Sequence, residues 1–391
     1  MTVPNHAEPV TRSTAVTPCD HVRESAEFIA AHSRDITIPE AGIQLAARKL
    51  YTRFQRTPYA RAVWKSHELN PQTNDARTVD WIFLIDTLNF SFWSDTHRPG
   101  QSGGEDETYA VRYRGRDYTG YWALCAAVNR ALDEGLPCTT ATFMATADDA
   151  TWANIFRSAT AETIPLFETR LRVVREAGRV LLANYDGSFT NFLCPPASNG
   201  SLAPATAQPN DAPTTVARVL DAFPSYRDVA SFHGRTVWFC KRAQILVADL
   251  WACFDNTGYG AFTRIDDLTM FADYRVPQAL VHIGALQYSE RLRCLLSGGT
   301  ATTGFQPTFE VLAPGSREEI EIRGNAILAV ERLCQAIRTL VAQDNANSGG
   351  GKGPVVMVNP ILLDFYLWDL AKEQTDQLAY IPIHRTRTHF Y

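Results

Sequence analysis

Leu268-Thr269-Met270-Phe271-Ala272-Asp273-Tyr274-Arg275-Val276-Pro277-Gln278 sets one acidic residue between an apolar shoulder and the start of a helix. Pro277 fits only the first helical turn, where its missing N–H removes no hydrogen bond. The apolar run from Ala279 to Leu286 continues the helix beyond it. Asp273 therefore stands at the N-cap or just before it, and two readings stay open. A capping aspartate is common and contributes about 1 kcal/mol. Alternatively, Met270 and Phe271 wall a carboxylate at the rim of a dry pocket, where it can stabilise a developing cation. On these residues alone the cap is the better-founded reading.

Working outward, Lys241 to Phe254 reads as a helix with Lys241 at its start, where a cation opposes the helix dipole. That hints at an anionic partner, although a plain surface lysine is favoured. Pro360 opens a further helix in which Asp364 and Trp368 share a face, with Asp369 next round. In isolation Asp364 reads as a solvated or capping group and Trp368 as core. Upstream, Tyr109–Tyr113 and Arg116–Tyr121 flank Arg114-Gly115 as a short β-hairpin. The helix after it ends at Gly135, and another follows Pro165. Residues 79–86 are apolar but ambiguous in type, and residues from Ile327 to Val341 mark a long amphipathic helix.

Apolar residues make up 45% of the 391 and charged residues 20%, an ordinary globular balance. A net charge of −5 and a pI near 6.0 offer no broad basic face, so a nucleotide ligand is expected to be small rather than polymeric. The eight cysteines show no metal-type spacing, and Cys125, Cys294 and Cys334 fall in apolar-periodic helices as buried free thiols. No apolar run is long enough to span a membrane, and the chain reads as cytoplasmic. Residues 1–22 are assigned to a mobile tail and 23–391 to a single helical domain. Surface insertions rich in Gly, Pro, Ser or Thr are placed near 98–107, 194–215, 297–316 and 344–354. The last carries Gly-Lys-Gly-Pro but lacks the phosphate-loop pattern.

The 268–278 stretch, together with Trp64-Lys65-Ser66-His67-Glu68-Leu69-Asn70-Pro71, Asp86–Trp93, Gly120–Gly135, Phe223–Asp228, Lys241–Asp249, Glu319–Gly324 and Leu363–Asp369, resembles the queuosine salvage protein family. The matches run in family order from about residue 25 onward. This resemblance implies a mainly α fold, two-lobed and similar to the helix-hairpin-helix DNA glycosylases, with one small β-hairpin. It implies a hydrolase that cleaves the N-glycosidic bond of queuosine 5′-monophosphate and releases queuine for tRNA modification. Asp273 carries over as the catalytic carboxylate. His67, Phe271, Asp364, Trp368 and Asp369 carry over as substrate-binding residues, while Lys241 and Arg275 are guesses for the phosphate. No metal, cofactor, membrane or nucleic-acid polymer is called for. A glycosylase acting on the nucleoside or another modified nucleotide, and a non-catalytic queuine-binding module serving a tRNA-modifying partner, are the alternatives. A DNA-repair glycosylase is disfavoured by the acidic pI and the absence of hairpin glycines.

Overall fold

Thr17 and Asp20 exchange hydrogen bonds in a capping box, with Pro18 at the first helical position, and so begin α1 (Pro18–His32). The computed structural model describes residues 16–94, 109–195, 209–298, 311–347 and 356–391. The helix starts inside the stretch assigned to a tail. Cys19 and Val22 supply a buried face that the Thr- and Pro-rich composition had obscured. Residues 1–15 lie outside the described residues.

β1 (Ile36–Thr37), α2 (Glu40–Arg56), a 3-10 turn (Arg61–Ser66) and α3 (Ala76–Thr87) follow. Asp75 caps α3 by accepting the Thr78 N–H at 3.1 Å. The ambiguous 79–86 run is therefore helix, and it is buried almost all round because it crosses the core. β2 (Ala110–Tyr113) and β3 (Arg116–Thr119) form the expected antiparallel hairpin. α4 (Gly120–Asp133) stops before Gly135, whose φ of +83° is the left-handed terminator. Next come α5 (Ala141–Thr146), α6 (Asp149–Ile155), α7 (Phe167–Asn184) and α8 (Phe189–Leu193).

β4 (Asn210–Asp211) and α9 (Ala212–Ala222) lead to a second antiparallel hairpin, β5 (Val229–Phe232) and β6 (Arg235–Trp238). One hairpin was expected, and the second corrects that reading. Its turn, His233-Gly234, has φ of 48° and 76°, close to the +47° and +80° of Arg114-Gly115 in the first. Both are two-residue turns with left-handed central residues. The chain continues through α10 (Lys241–Cys253), β7 (Phe262–Thr263), α11 (Val276–His282), β8 (Gln287–Tyr288), α12 (Glu290–Leu296), α13 (Arg317–Asn347), α14 (Pro360–Glu373) and α15 (Thr375–Leu378). β1 pairs antiparallel with β8 and β4 runs parallel to β7, so the fold is mainly helical with two-stranded sheets only among the described residues.

Several expected insertions are narrower than the composition suggested. The stretch 98–107 lies outside the described residues, as do 196–208, 299–310 and 348–355. Residues 210–215 belong to β4 and α9, with Thr215 buried. Leu312 is buried and donates its N–H to the Arg385 carbonyl at 2.8 Å. α13 extends to Asn347, into the fourth expected insertion. Cys294, expected buried, is partly exposed on α12. α11 ends at His282 rather than running on to Leu286, because Gly284 turns the chain at φ +79°.

α13 spans 31 residues, about 46 Å at 1.5 Å per residue, and packs against α1, α2, α11 and α14. Gly324 permits this crowding. A Cβ there would come within 2.6 Å of the Ile29 side chain on α1. α11 and α14 pack on this axis, and α10, α14 and the segment leading into α11 line one cavity.

Candidate active site

The cavity measures about 360 Å³, within the range of small-molecule sites. One wall is a stripe along α10, Lys241, Ile245 and Asp249, spaced four apart. The opposing wall is α14, whose Asp364, Phe365, Trp368 and Asp369 all line the space. Tyr121 and Trp122 enter from the start of α4, His67 from the end of the 3-10 turn, and Phe271, Asp273, Tyr274 and Arg275 from the segment before α11. The structure thus brings Asp273, His67, Phe271, Asp364, Trp368 and Asp369 together, and adds Lys241 and Arg275.

Asp273 sits just ahead of α11 and its Oδ1 accepts both the Arg275 and the Val276 N–H, each at 2.9 Å. It serves the helix start and faces the cavity at once, so the two readings of this aspartate are compatible. Burial raises its pKa, while the two amides and the nearby Lys241 and Arg275 oppose the rise. Asp364 accepts the Phe271 N–H at 2.9 Å, a bond that ties α14 to the Asp273 segment. Burial, and then the charge of Asp273, push the Asp364 carboxyl well above its ordinary range. Asp369 is raised by burial to about 6, and the hydroxyl of Tyr59, which donates to it, limits the rise.

Lys241 is not a surface residue. It is 5% exposed, and its ammonium donates to the backbone and side-chain oxygens of Asn89, both at 3.1 Å. Its backbone N–H is received by Asp228 at 3.1 Å, a cap supplied from 13 residues upstream. Burial lowers the Lys241 pKa, with Asp273 and then Asp86 resisting. Only two of its three ammonium donors are spent on Asn89.

The ring of His67 stacks on Trp122 with centroids 3.3 Å apart and an interplanar angle of 7°. Burial lowers its pKa, and its Nδ1 accepts the Leu69 N–H at 3.3 Å, so the neutral ring carries its proton on Nε2. Trp122 and Tyr121 meet Trp368 edge to face at 6.0 and 6.1 Å, and Phe271 lies 5.9 Å from Phe365. These rings make a slot for a flat apolar body with carboxyl groups at its edges.

The sequence reading missed Asp249, Tyr59, Trp122 and Tyr391, all of which line the cavity. A periodic signal existed for Asp249, which lies eight positions after Lys241 and so on the same face of the helix. Tyr59 and Tyr391 lie in irregular segments and carried none.

A family model described as queuosine salvage protein matches residues 69–391. The chain is 43% identical over 375 residues to a queuosine 5′-phosphate N-glycosylase/hydrolase of Mus musculus, covering 94% of this chain and 98% of that protein. A protein of the same name from Schizosaccharomyces pombe is 40% identical over 383 residues, with 95% and 99% covered. Another from Sphaerobacter thermophilus is 34% identical over 388 residues, with 98% and 100% covered. A family-model match over most of the chain, together with relatives up to 43% identical that cover nearly its whole length, establishes that the chain belongs to the queuosine salvage protein family.

Proposed function

We propose that this protein is a queuosine 5′-phosphate N-glycosylase/hydrolase, which cleaves the N-glycosidic bond of its nucleotide and releases queuine for salvage into tRNA. The observation that carries the reading is Asp273, a carboxylate fixed by two backbone amides at the edge of an aromatic slot. As the C1′–N bond lengthens, the ribose gains oxocarbenium character, and a fixed negative charge beside it lowers the barrier. Water then adds to C1′.

In this reading the base lies in the slot of Trp368, Phe271 and His67. One carboxyl, Asp364, accepts from the base's N–H and exocyclic NH₂ edge, and Asp369 pairs with the cationic amine of the cyclopentenediol arm. The third donor of Lys241, with Arg275 near, suits the phosphate end. The placement of Asp273 before a helix is the feature this reading shares with helix-hairpin-helix DNA glycosylases. Residues from Pro18 onward act as one unit, and the substrate is a mononucleotide rather than a polymer. No helix among the described residues is long and apolar enough to cross a membrane. The test is base release from queuosine 5′-monophosphate by the purified protein. Tight binding of nucleotide or base with no release makes the protein a binding module instead.

The Asp369 assignment has its own pH signature. Its carboxyl is raised to about 6, so it is anionic above that pH and neutral below it. A neutral carboxyl cannot pair with an ammonium, so queuine affinity is expected to fall at least about tenfold as pH drops through this range. Calorimetric titration across the range checks this. Asp369→Asn should bind weakly at every pH and lose the inflection. Tyr59→Phe should move the midpoint upward, since the hydroxyl is what holds the pKa down.

A further inference from the structure

The departing base poses a problem that the residues above do not solve. Asp273 is committed to two amides, Asp364 to the Phe271 N–H and Asp369 to the Tyr59 hydroxyl. A 7-deazapurine has no N7 to receive a proton, so its electron pair must be neutralised elsewhere. Asp249 lines the same cavity, is 3% exposed, and its buried Oδ1 meets no hydrogen-bonding group. An unpartnered buried carboxyl oxygen is costly unless a ligand supplies the partner.

We propose that Asp249 is the general acid that donates its proton to the departing base. This rests on the N-glycosylase reading. The C1′–N9 bond breaks with its electron pair passing to the base, where it delocalises through the ring onto the carbonyl oxygen. The proton of Asp249 moves to that oxygen, leaving an aspartate and the enol form of queuine, which returns to the lactam with N9–H in water. The water that adds to C1′ gives its proton to Asp273, which releases it to solvent, and solvent restores the proton of Asp249. Substrate and water thus yield queuine and ribose 5-phosphate.

The surroundings keep that proton in place. Asp86 faces Asp249 from α3, itself fully buried with its Oδ2 unengaged. Asp364 faces it from α14, Tyr121 and Cys125 from α4, and Lys241 and Cys253 from α10 itself, with Trp64 beside the carboxyl. Burial and then the Asp86 charge raise the Asp249 pKa well above its ordinary range. Burial raises the Asp86 carboxyl too, but only to about 7, because Asn89, Lys241 and Arg242 oppose the rise. The pair therefore holds its proton on Asp249.

The experiment uses the full chain and queuosine 5′-monophosphate. Asp249→Asn is expected to lower kcat roughly 10²-fold or more while leaving queuine affinity within a few fold. The wild-type rate should fall at alkaline pH as Asp249 deprotonates, and that limb should vanish in the variant. Asp86→Asn removes a neighbouring negative charge and should shift the limb to lower pH, which tests the proposal even if Asp249→Asn does not fold. An alkaline limb that persists in Asp249→Asn belongs to Lys241 and overturns the proposal, as does an undiminished kcat or an unmoved limb in Asp86→Asn. A wild type that binds but never cleaves defeats the N-glycosylase reading itself, whereas cleavage with an indifferent Asp249→Asn defeats only the acid.

Discussion

Asp273→Asn is expected to bind queuine about as well as the wild type and to release it from queuosine 5′-monophosphate roughly 10³-fold more slowly. The magnitude follows from one charge. Two unit charges about 4 Å apart interact by about 4 kcal/mol at an effective dielectric near 20. Each factor of ten in rate is about 1.36 kcal/mol, which gives roughly three decades. The amide keeps the oxygen that receives the Arg275 and Val276 N–H groups, so the entry to α11 is preserved and only the charge is lost. Single-turnover base release, with queuine binding and thermal unfolding measured alongside, separates the outcomes. A rate within tenfold of the wild type removes Asp273 from the reaction and returns it to being a helix cap.

What could be read in the sequence was local. Pro277, Pro360 and Gly135 mark helix ends through their own backbone constraints, and each stands where expected. Asp364 and Trp368 share a face because four residues nearly complete a turn, and both reach the cavity. The family resemblance added His67, which no local pattern distinguishes from a structural histidine. Contacts between distant segments stayed hidden. Lys241 looked like a surface cation opposing a dipole, since nothing in residues 241–254 announces that Asp228 caps the helix and Asn89 receives the ammonium. The second hairpin was missed although His233-Gly234 carries the same turn chemistry as Arg114-Gly115, because Val229–Phe232 and Arg235–Trp238 hold one aromatic each and lack the repeated tyrosines that flank the first turn.

Arg323→Met is expected to lower the unfolding free energy by roughly 3–5 kcal/mol, the range for breaking one side of a buried ion pair. Arg323 is 2% exposed and Asp228 is 1% exposed. The guanidinium donates to both Asp228 oxygens at 2.6 and 3.1 Å, and to the Ala272 carbonyl at 3.0 Å. Phe239 and Tyr391 hold it with their rings 3.9 and 4.2 Å from the guanidinium carbon. Methionine fills much of this volume but leaves Asp228 buried with the Lys241 N–H, and Glu319, which the guanidinium also pairs with at 3.5 Å, buried without its cation. Because Ala272 precedes Asp273 and Asp228 caps α10, the variant should also lose turnover, with the catalytic carboxylate and Lys241 both loosened. Denaturant unfolding of Arg323→Met, Asp228→Asn and the double variant distinguishes the cause. If the cost is an unpaired buried charge, the double variant loses much less than the two single losses combined. Additive losses would place the cost in packing against Phe239 and Tyr391 instead, and the site would then owe its geometry to those rings rather than to the ion pair.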